Sequence, residues 1–312
     1  MKPLSIIALF LLVVALAFGS YVMWLNLPVG SKTYMPFLAN DTGYFPENYS
    51  TNSSSQIVQF YPYMRYPDRV ISYRIESACS SEKFNNARRA FEILSEKTIL
   101  RFNEAAENPE IRVLCSDVAP EATEKGHFIA GEGGPSEIIN TTNFAVILSG
   151  KISLYRENKC DEPKVAIHEV LHALGFDHYN NKASILYPIT NCEQQIDAGI
   201  IDIINKLYAV DSLPDLVIDS VEASREGRYL SFDINISNAG LTNSKSAELS
   251  LFFENEKITN FTLGDLEIGE KKMLGVENVK LPSRADNIIF VVESEDIGEL
   301  SLSNNRAEIS TL

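Results

Sequence analysis

The sequence predicts an α+β domain, layered as α/β around a twisted mixed sheet, followed by an all-β immunoglobulin-like sandwich. An N-terminal transmembrane helix is expected before them. Three observations predict this. Helical and extended patterns alternate between residues 70 and 208. From Asp215 onward come seven strand-like runs with no clear helical period. Residues 4–27 form a run of 24 without a single charge, where a spanning helix needs roughly 20.

With 312 residues, 45% apolar and 22% charged, the chain can build two cores and is not a disordered protein. Lys and Arg number 27 against 42 Asp and Glu, a formal net charge of −15. Phosphate would be repelled by that charge, and no basic run offsets it, so no nucleic-acid partner is expected.

The N-terminal run opens LSIIALFLLVVALAFG and continues YVMWLNL. Lys2 and the free amine precede it, and the next basic residue is Lys32. That asymmetry places the rest of the chain outside the cytoplasm, with Tyr21 and Trp24 suited to the far interface. A signal peptide cleaved after Ala15-Leu16-Ala17 is the competing reading. Apolar character continuing past Ala17 favours the anchor, and either reading exports the domains: cell membrane, single-pass, or else secreted. The sequons at Asn40, Asn48, Asn52, Asn140, Asn235 and Asn260 agree with export. Cys79, Cys115, Cys160 and Cys192 allow three disulfide connectivities in an oxidising compartment. Cys79–Cys115 and Cys160–Cys192 are favoured, because each pair would flank elements expected to be adjacent. The expected divisions are a signal anchor or signal peptide at 1–29, a polar stalk at 30–59, a metal-binding domain at 60–211 and the sandwich at 212–312.

Within the first domain, VISYRIE (70–76) alternates as a strand. Phe84, Ala87, Arg88, Phe91 and Leu94 recur at helical spacing over 81–96. ILRFNEA (99–105) and EIRVLC (110–115) read as short strands, and GHFIAGEGGPSE (126–137) as a glycine-rich loop. NFAVILSG (143–150) has the length of a buried strand. EPKVAIHEVLHALGF (162–176) is a helix opened by Pro163 and ended by Gly175, and QIDAGIIDIINKLY (195–208) is a further amphipathic helix. In the second domain, Leu230, Phe232, Ile234 and Ile236 alternate with Ser231, Asp233, Asn235 and Ser237, a half-buried strand with its sequon on the wet face.

The chemistry lies in His168-Glu169-Val170-Leu171-His172-Ala173-Leu174-Gly175-Phe176-Asp177-His178. His168 and His172 are one helical turn apart and can reach one ion. Gly175 can take positive φ and turn the chain back, bringing His178 to the same ion. Three neutral imidazoles leave a fourth position for water, the pattern of one catalytic Zn²⁺. Glu169 is offset from the His face and suits a general base. Chance would place these five residues in on the order of 10⁻⁵ of chains this long. Three of the four His of the chain fall here, so incidental surface histidines are set aside.

This segment resembles the extended zinc motif of the metzincin metallopeptidases, and GFDH followed by SILYP is most similar to the matrixin branch. VISYRIE, ARRAFEILSEKTILRF, EIRVLC and AGIIDIINKLY extend the resemblance over roughly residues 60–210. It implies a metzincin-like catalytic domain with a zinc-binding helix, acting as a zinc endopeptidase on polypeptide substrates. Leu186 then stands where metzincins place a Met beneath the zinc. Tyr187-Pro188-Ile189 would line the pocket for the residue after the scissile bond, and residues 127–130 would form an edge strand that pairs with substrate. DLVIDSVE, NISNAG and LSNNRAEI resemble CARDB sandwich domains of secreted prokaryotic proteins.

His127 could be a fourth metal contact or, by the resemblance, part of a second zinc site as in some matrixins, but no companion His is available, and a surface or edge-strand role is the expectation. Gly131-Glu132-Gly133-Gly134-Pro135 could border the cleft or bind calcium. It lacks the paired carboxylates of a calcium loop, so calcium is unsupported and a flexible connection is expected. Glu193 and Asp197 read as capping and solvated charges. The alternative function is a catalytically degenerate surface binding or adhesion protein whose sandwich engages a protein or surface glycan. A zinc hydrolase of non-peptide amides is a third class. Glu169 and a complete ligand set favour the peptidase.

Overall fold

The computed structural model describes residues 3–25, 32–33, 37–38, 59–121, 128–157, 159–282, 287–296 and 298–310. The sequons at Asn40, Asn48 and Asn52 and His127 lie outside the described residues. Helix α1 covers Pro3–Leu25, of which the side chains of residues 11–22 are described. Among the described residues no helix is long and apolar enough to cross a membrane, so the expected transmembrane helix is without structural support. The segment read as a stalk contributes β1 (Lys32–Thr33) and β2 (Phe37–Leu38), both paired with the first strand of the sandwich.

The first domain is built from β3 (Met64–Arg65), β4 (Val70–Ile75), α2 (Ser81–Lys97), β5 (Arg101–Glu104), β6 (Ile111–Cys115), β7 (Gly131–Asn140), β8 (Ala145–Leu154), α3 (Lys164–Ala173) and α4 (Ala198–Ala209). Strands β5, β4, β6 and β8 are neighbours in that order and all parallel. β7 runs antiparallel along β8. A strand has two edges, so β3, which pairs with the start of β8, shares the β6 side. The sheet is therefore mixed, as expected.

Its core follows from alternation in strands and periodicity in helices. Ile71, Tyr73 and Ile75 of β4 are buried, as are Ala87, Ala90, Phe91 and Leu94 of α2. Tyr73 stacks on Phe91 with ring centroids 4.1 Å apart. Ser80 caps α2 by accepting from the Lys83 backbone N–H at 3.3 Å, a bond of the kind that contributes about 1 kcal/mol. Arg65, although buried, donates to the carbonyls of Leu207 and Val210 at the end of α4, satisfying groups that a helix terminus leaves open.

The glycine-rich segment is a correction. Residues 131–140 form an edge strand, whereas a flexible connection over 131–135 was expected. Glycine depresses strand propensity, but packing against a helix overrides it here.

The second domain consists of β9 (Leu216–Glu226), β10 (Tyr229–Asn238), β11 (Ser244–Phe253), β12 (Glu256–Leu266), β13 (Lys271–Lys280), β14 (Asn287–Glu293) and β15 (Arg306–Ser310). β13, β10 and β9 form one sheet, with β1 and β2 on the far side of β9, and β12, β11, β14 and β15 form the other. Leu230, Phe232, Ile234 and Ile236 enter the shared core, while Asn235 is exposed. A register shift after Asn235 interrupts the alternation, and Ser237, expected on the wet face, is buried.

The two disulfides are Cys79–Cys115 and Cys160–Cys192. Replacing Cys160 and Cys192 by Ser frees a loop whose ends are 32 residues apart. The expected loss of unfolding free energy is about 3–4 kcal/mol, read from the denaturant midpoint at constant slope. A loss below about 1 kcal/mol would show that this bridge does not constrain the unfolded chain.

Candidate metal centre

The centre starts with the way α3 ends. Gly175 has φ +93°, the left-handed region open to glycine. Its N–H donates to the His172 carbonyl at 2.9 Å, and the Phe176 N–H donates to Leu171 at 3.1 Å. These two bonds close the helix in a Schellman motif and reverse the chain. A side chain at Gly175 would also strike Met64, whose Cγ lies 2.5 Å from where a Cβ would stand. The reversal brings His178 back beside α3, with its ring 4.7 Å from that of His172 and 5.4 Å from that of His168.

The ligand atoms available on His168, His172 and His178 all lie within 4.8 Å of one another. His168 and His172 are buried and His178 is exposed. The Nδ1 of His168 is 2.6 Å from the Ile185 carbonyl, and that of His172 is 2.7 Å from the Phe176 carbonyl. A carbonyl only accepts, so each Nδ1 carries the proton and each Nε2 presents a lone pair. The two Nε2 atoms stand 2.8 Å apart with no proton between them. Burial and the neighbouring His172 push the His168 pKa down to about 3, so protonation does not relieve the pair near neutrality. A cation does, and the donor set fits a metal that accepts imidazole nitrogen.

Ile185 belongs to the turn expected under the metal. Ser184, Ile185 and Leu186 have no exposed surface. The Leu186 N–H donates to Ser184 Oγ at 3.1 Å, and the Tyr179 N–H donates to the Leu186 carbonyl at 2.9 Å. Ser184 Oγ in turn donates to Asp197. Asp197, expected as a capping or solvated charge, stands at the N-cap position of α4, and its side chain, which makes no cap bond, holds the turn that orients His168. Tyr187 is half-buried beyond Leu186, and Ile189 is 50% exposed.

Glu169 is 5% exposed and lies beneath β7. A Cβ at Gly131 would stand 2.7 Å from its Cγ, and one at Gly133 would stand 2.2 Å from its backbone oxygen. The two glycines are two residues apart, so one face of β7 is bare where it meets α3. Burial, and then the charge of Glu132, push the Glu169 pKa up to about 8. Tyr155 donates to Glu132 at 2.6 Å. The expected edge strand at 127–130 is displaced: residues 128–130 are outside β7, which starts at Gly131.

Two parts of the centre are not foreseen from the sequence: Gly131 and Gly133 as contacts of Glu169, and the Ile185 and Phe176 carbonyls. The spacing of the glycines was the available signal. Among the described residues, the three histidines are the one group of three or more His, Cys, Asp or Glu whose ligand atoms converge.

Both domains match known protein families. Residues 65–209 match the matrixin family, and residues 213–308 match CARDB. The chain therefore carries a matrixin domain followed by a CARDB domain. No curated protein matches the chain. Among solved structures, a CARDB domain from Pyrococcus furiosus, in complex with di-metal ions, is similar at 18% identity over 32% of this chain and 88% of that one, with a TM-score of 0.26. A domain of a putative cell surface protein from Methanosarcina acetivorans is similar at 23% identity over 32% of this chain and 93% of that one, TM-score 0.26. The hatching-enzyme zinc-protease high choriolytic enzyme 1 from Oryzias latipes is similar at 19% identity over 39% of this chain and 55% of that one, TM-score 0.26.

Gly133→Ala places a methyl group against the Glu169 backbone and is expected to cost about 1–3 kcal/mol of stability. A Cβ at Gly134 meets nothing within 4 Å, and Gly134→Ala should change stability by no more than about 0.5 kcal/mol. Thermal melts of the two variants check the difference, and equal effects would remove the close approach as its cause.

Proposed function

We propose, from the premise of a matrixin domain, that this chain is an exported zinc-dependent endopeptidase with Glu169 as its general base. The observation that carries the reading is the convergence of three imidazoles, two of them with Nδ1 fixed on carbonyls, beside a buried glutamate on the same helix. Export is supported by the two disulfides and by the uncharged N-terminal run.

His168, His172 and His178 would hold the metal. When bound, zinc would polarise the scissile carbonyl and acidify a water. Glu169 takes the proton of that attacking water and delivers it to the leaving amine, so no covalent intermediate forms on the protein. The carbonyls of Ile185 and Phe176 keep His168 and His172 in the ligating tautomer throughout. The edge of β7 that pairs with no strand among the described residues would offer backbone groups to an extended substrate, and Tyr187 and Ile189 would line the pocket for the residue after the cut.

The test measures zinc and cleavage together, on the full chain and on Glu169→Ala. Stoichiometric zinc in both, with cleavage of an unfolded protein reduced at least about 10²-fold in the variant, is expected for loss of the base. Zinc without cleavage in the wild type would favour a surface binding protein, and absence of zinc would overturn the reading.

One feature favours that second reading: by the resemblance, Leu186 stands where metzincins carry a Met. It is fully buried and its backbone is bonded on both sides, and Leu and Met have similar volumes. Leu186→Met should therefore leave kcat/KM within about twofold. A rise of ten-fold or more would mark Leu186 as a lesion.

A further inference from the structure

The hairpin β7–β8 joins the metal centre to the second domain. One end of β7 lies on Glu169 through Gly131 and Gly133. The other end leads into the turn at 141–144, closed by Thr141 N–H to the Phe144 carbonyl at 2.8 Å and Phe144 N–H to Thr141 Oγ1 at 3.0 Å. The sandwich grips that turn. Asn143 donates to Asp215 Oδ2 at 2.8 Å, and Thr141 Oγ1 donates to the Ala239 carbonyl at 3.0 Å. Phe144 and Val146 bury against Leu241. A Cβ at Gly269 would stand 2.5 Å from Ile139 of β7, so the sandwich meets the strand there without a side chain.

Asp215 is built to receive the turn. It has no exposed surface. Its Oδ1 accepts from the Ser301 N–H at 3.2 Å and from Asn304 at 3.1 Å, leaving Oδ2 directed at Asn143. β7 pairs with β8 along its length, from Gly131 opposite Leu154 to Asn140 opposite Ala145, but the ladder is not regular. Its register against β8 shifts between Pro135 and Glu137 and again before Ile138, and proline has no N–H to donate. Among the described residues its second edge pairs with no strand. The position of this strand is therefore set by β8 along one edge and, at its ends, by Glu169 and by the sandwich.

We propose that the sandwich domain takes part in the peptidase reaction: Asp215 and Asn143 are positioning residues that hold β7 at the register in which it receives an extended polypeptide. The inference rests on the peptidase reading and assigns the second domain a role inside the active site's architecture rather than an appended one. Truncating the chain is unnecessary to test it, because the bond can be broken and remade within the full chain. Asn143→Asp sets two carboxylates against each other. Adding Asp215→Asn restores a bond with donor and acceptor exchanged. The amide introduced at position 215 then donates to the carboxylate introduced at position 143, while its oxygen still accepts from Ser301 and Asn304.

For the zinc-loaded full chain, Asn143→Asp should raise KM for a long unstructured polypeptide about tenfold, with kcat changed less than about twofold. Backbone hydrogen exchange should rise over residues 131–140. The double variant should return both readouts to within about twofold of wild type. Asn143→Ala, which removes the bond without adding charge, should shift KM in the same direction by about threefold. Unchanged exchange over 131–140 in Asn143→Asp, or a double variant no better than the single, would overturn the proposal. If the wild type cleaves nothing, the peptidase reading fails, and the exchange comparison still decides whether the sandwich holds β7.

Discussion

Two imidazole lone pairs held 2.8 Å apart are the constraint on which the rest of this structure depends. Neither ring can escape by flipping its tautomer, because each Nδ1 is committed to a carbonyl. Neither accepts a proton readily, because burial disfavours the charged form of both. A fold that keeps such an arrangement must hold it from several directions. The helix spacing supplies His168 and His172, and the reversal at Gly175 supplies His178. The turn at 184–187 supplies the carbonyl that orients His168, and Asp197 fixes that turn through Ser184. Cys160–Cys192 spans the same region, tying the chain before α3 to the chain beyond the turn.

Glu169 shows the same economy. Its carboxyl sits where water is scarce because β7 has no side chains on the face that covers it. Burial and Glu132 raise its affinity for a proton, while a divalent cation held by the imidazoles would act in the opposite sense. A carboxyl in that position would be subject to both influences. A larger residue at 131 or 133 would lift the strand, admit water and weaken both. The glycine-rich stretch is thus a surface complementary to the helix.

Much of this was legible in the sequence because its signals were local. His168, His172 and His178 are set by helical spacing and one glycine, and the amphipathic pattern of 81–96 placed α2 to within a residue. The seven strand-like runs after Asp215 correspond to β9–β15. What escaped was tertiary. Strand β7 reads as a loop because Gly and Pro carry no local strand signal, and only its contact with α3 makes the bare face favourable. Asp197 reads as a capping or solvated charge, and it does stand at the N-cap of α4, but its bond to Ser184 is not visible because Ser184 lies thirteen residues away. Ser237 reads as surface because the shift at Asn235 cannot be seen in an alternating pattern. The carbonyls of Ile185 and Phe176 leave no trace in residue identity, since every residue has one.

The junction between the domains shows why a buried carboxylate is worth keeping there. Phe144, Val146 and Leu241 supply apolar contact, but apolar contact is non-directional and would tolerate sliding of the hairpin over the sandwich. Asp215 does not tolerate it. Burial raises its pKa, opposed by donors from Asn304, Ser301 and Asn143. Movement of the turn removes one of those donors and leaves a desolvated oxygen without a partner, a cost of roughly 1–3 kcal/mol. The apolar patch brings the domains together, and the carboxylate restricts them to one arrangement. Because the hairpin it restricts ends on Glu169, the position of the candidate active site is set partly from the domain that carries none of its ligands.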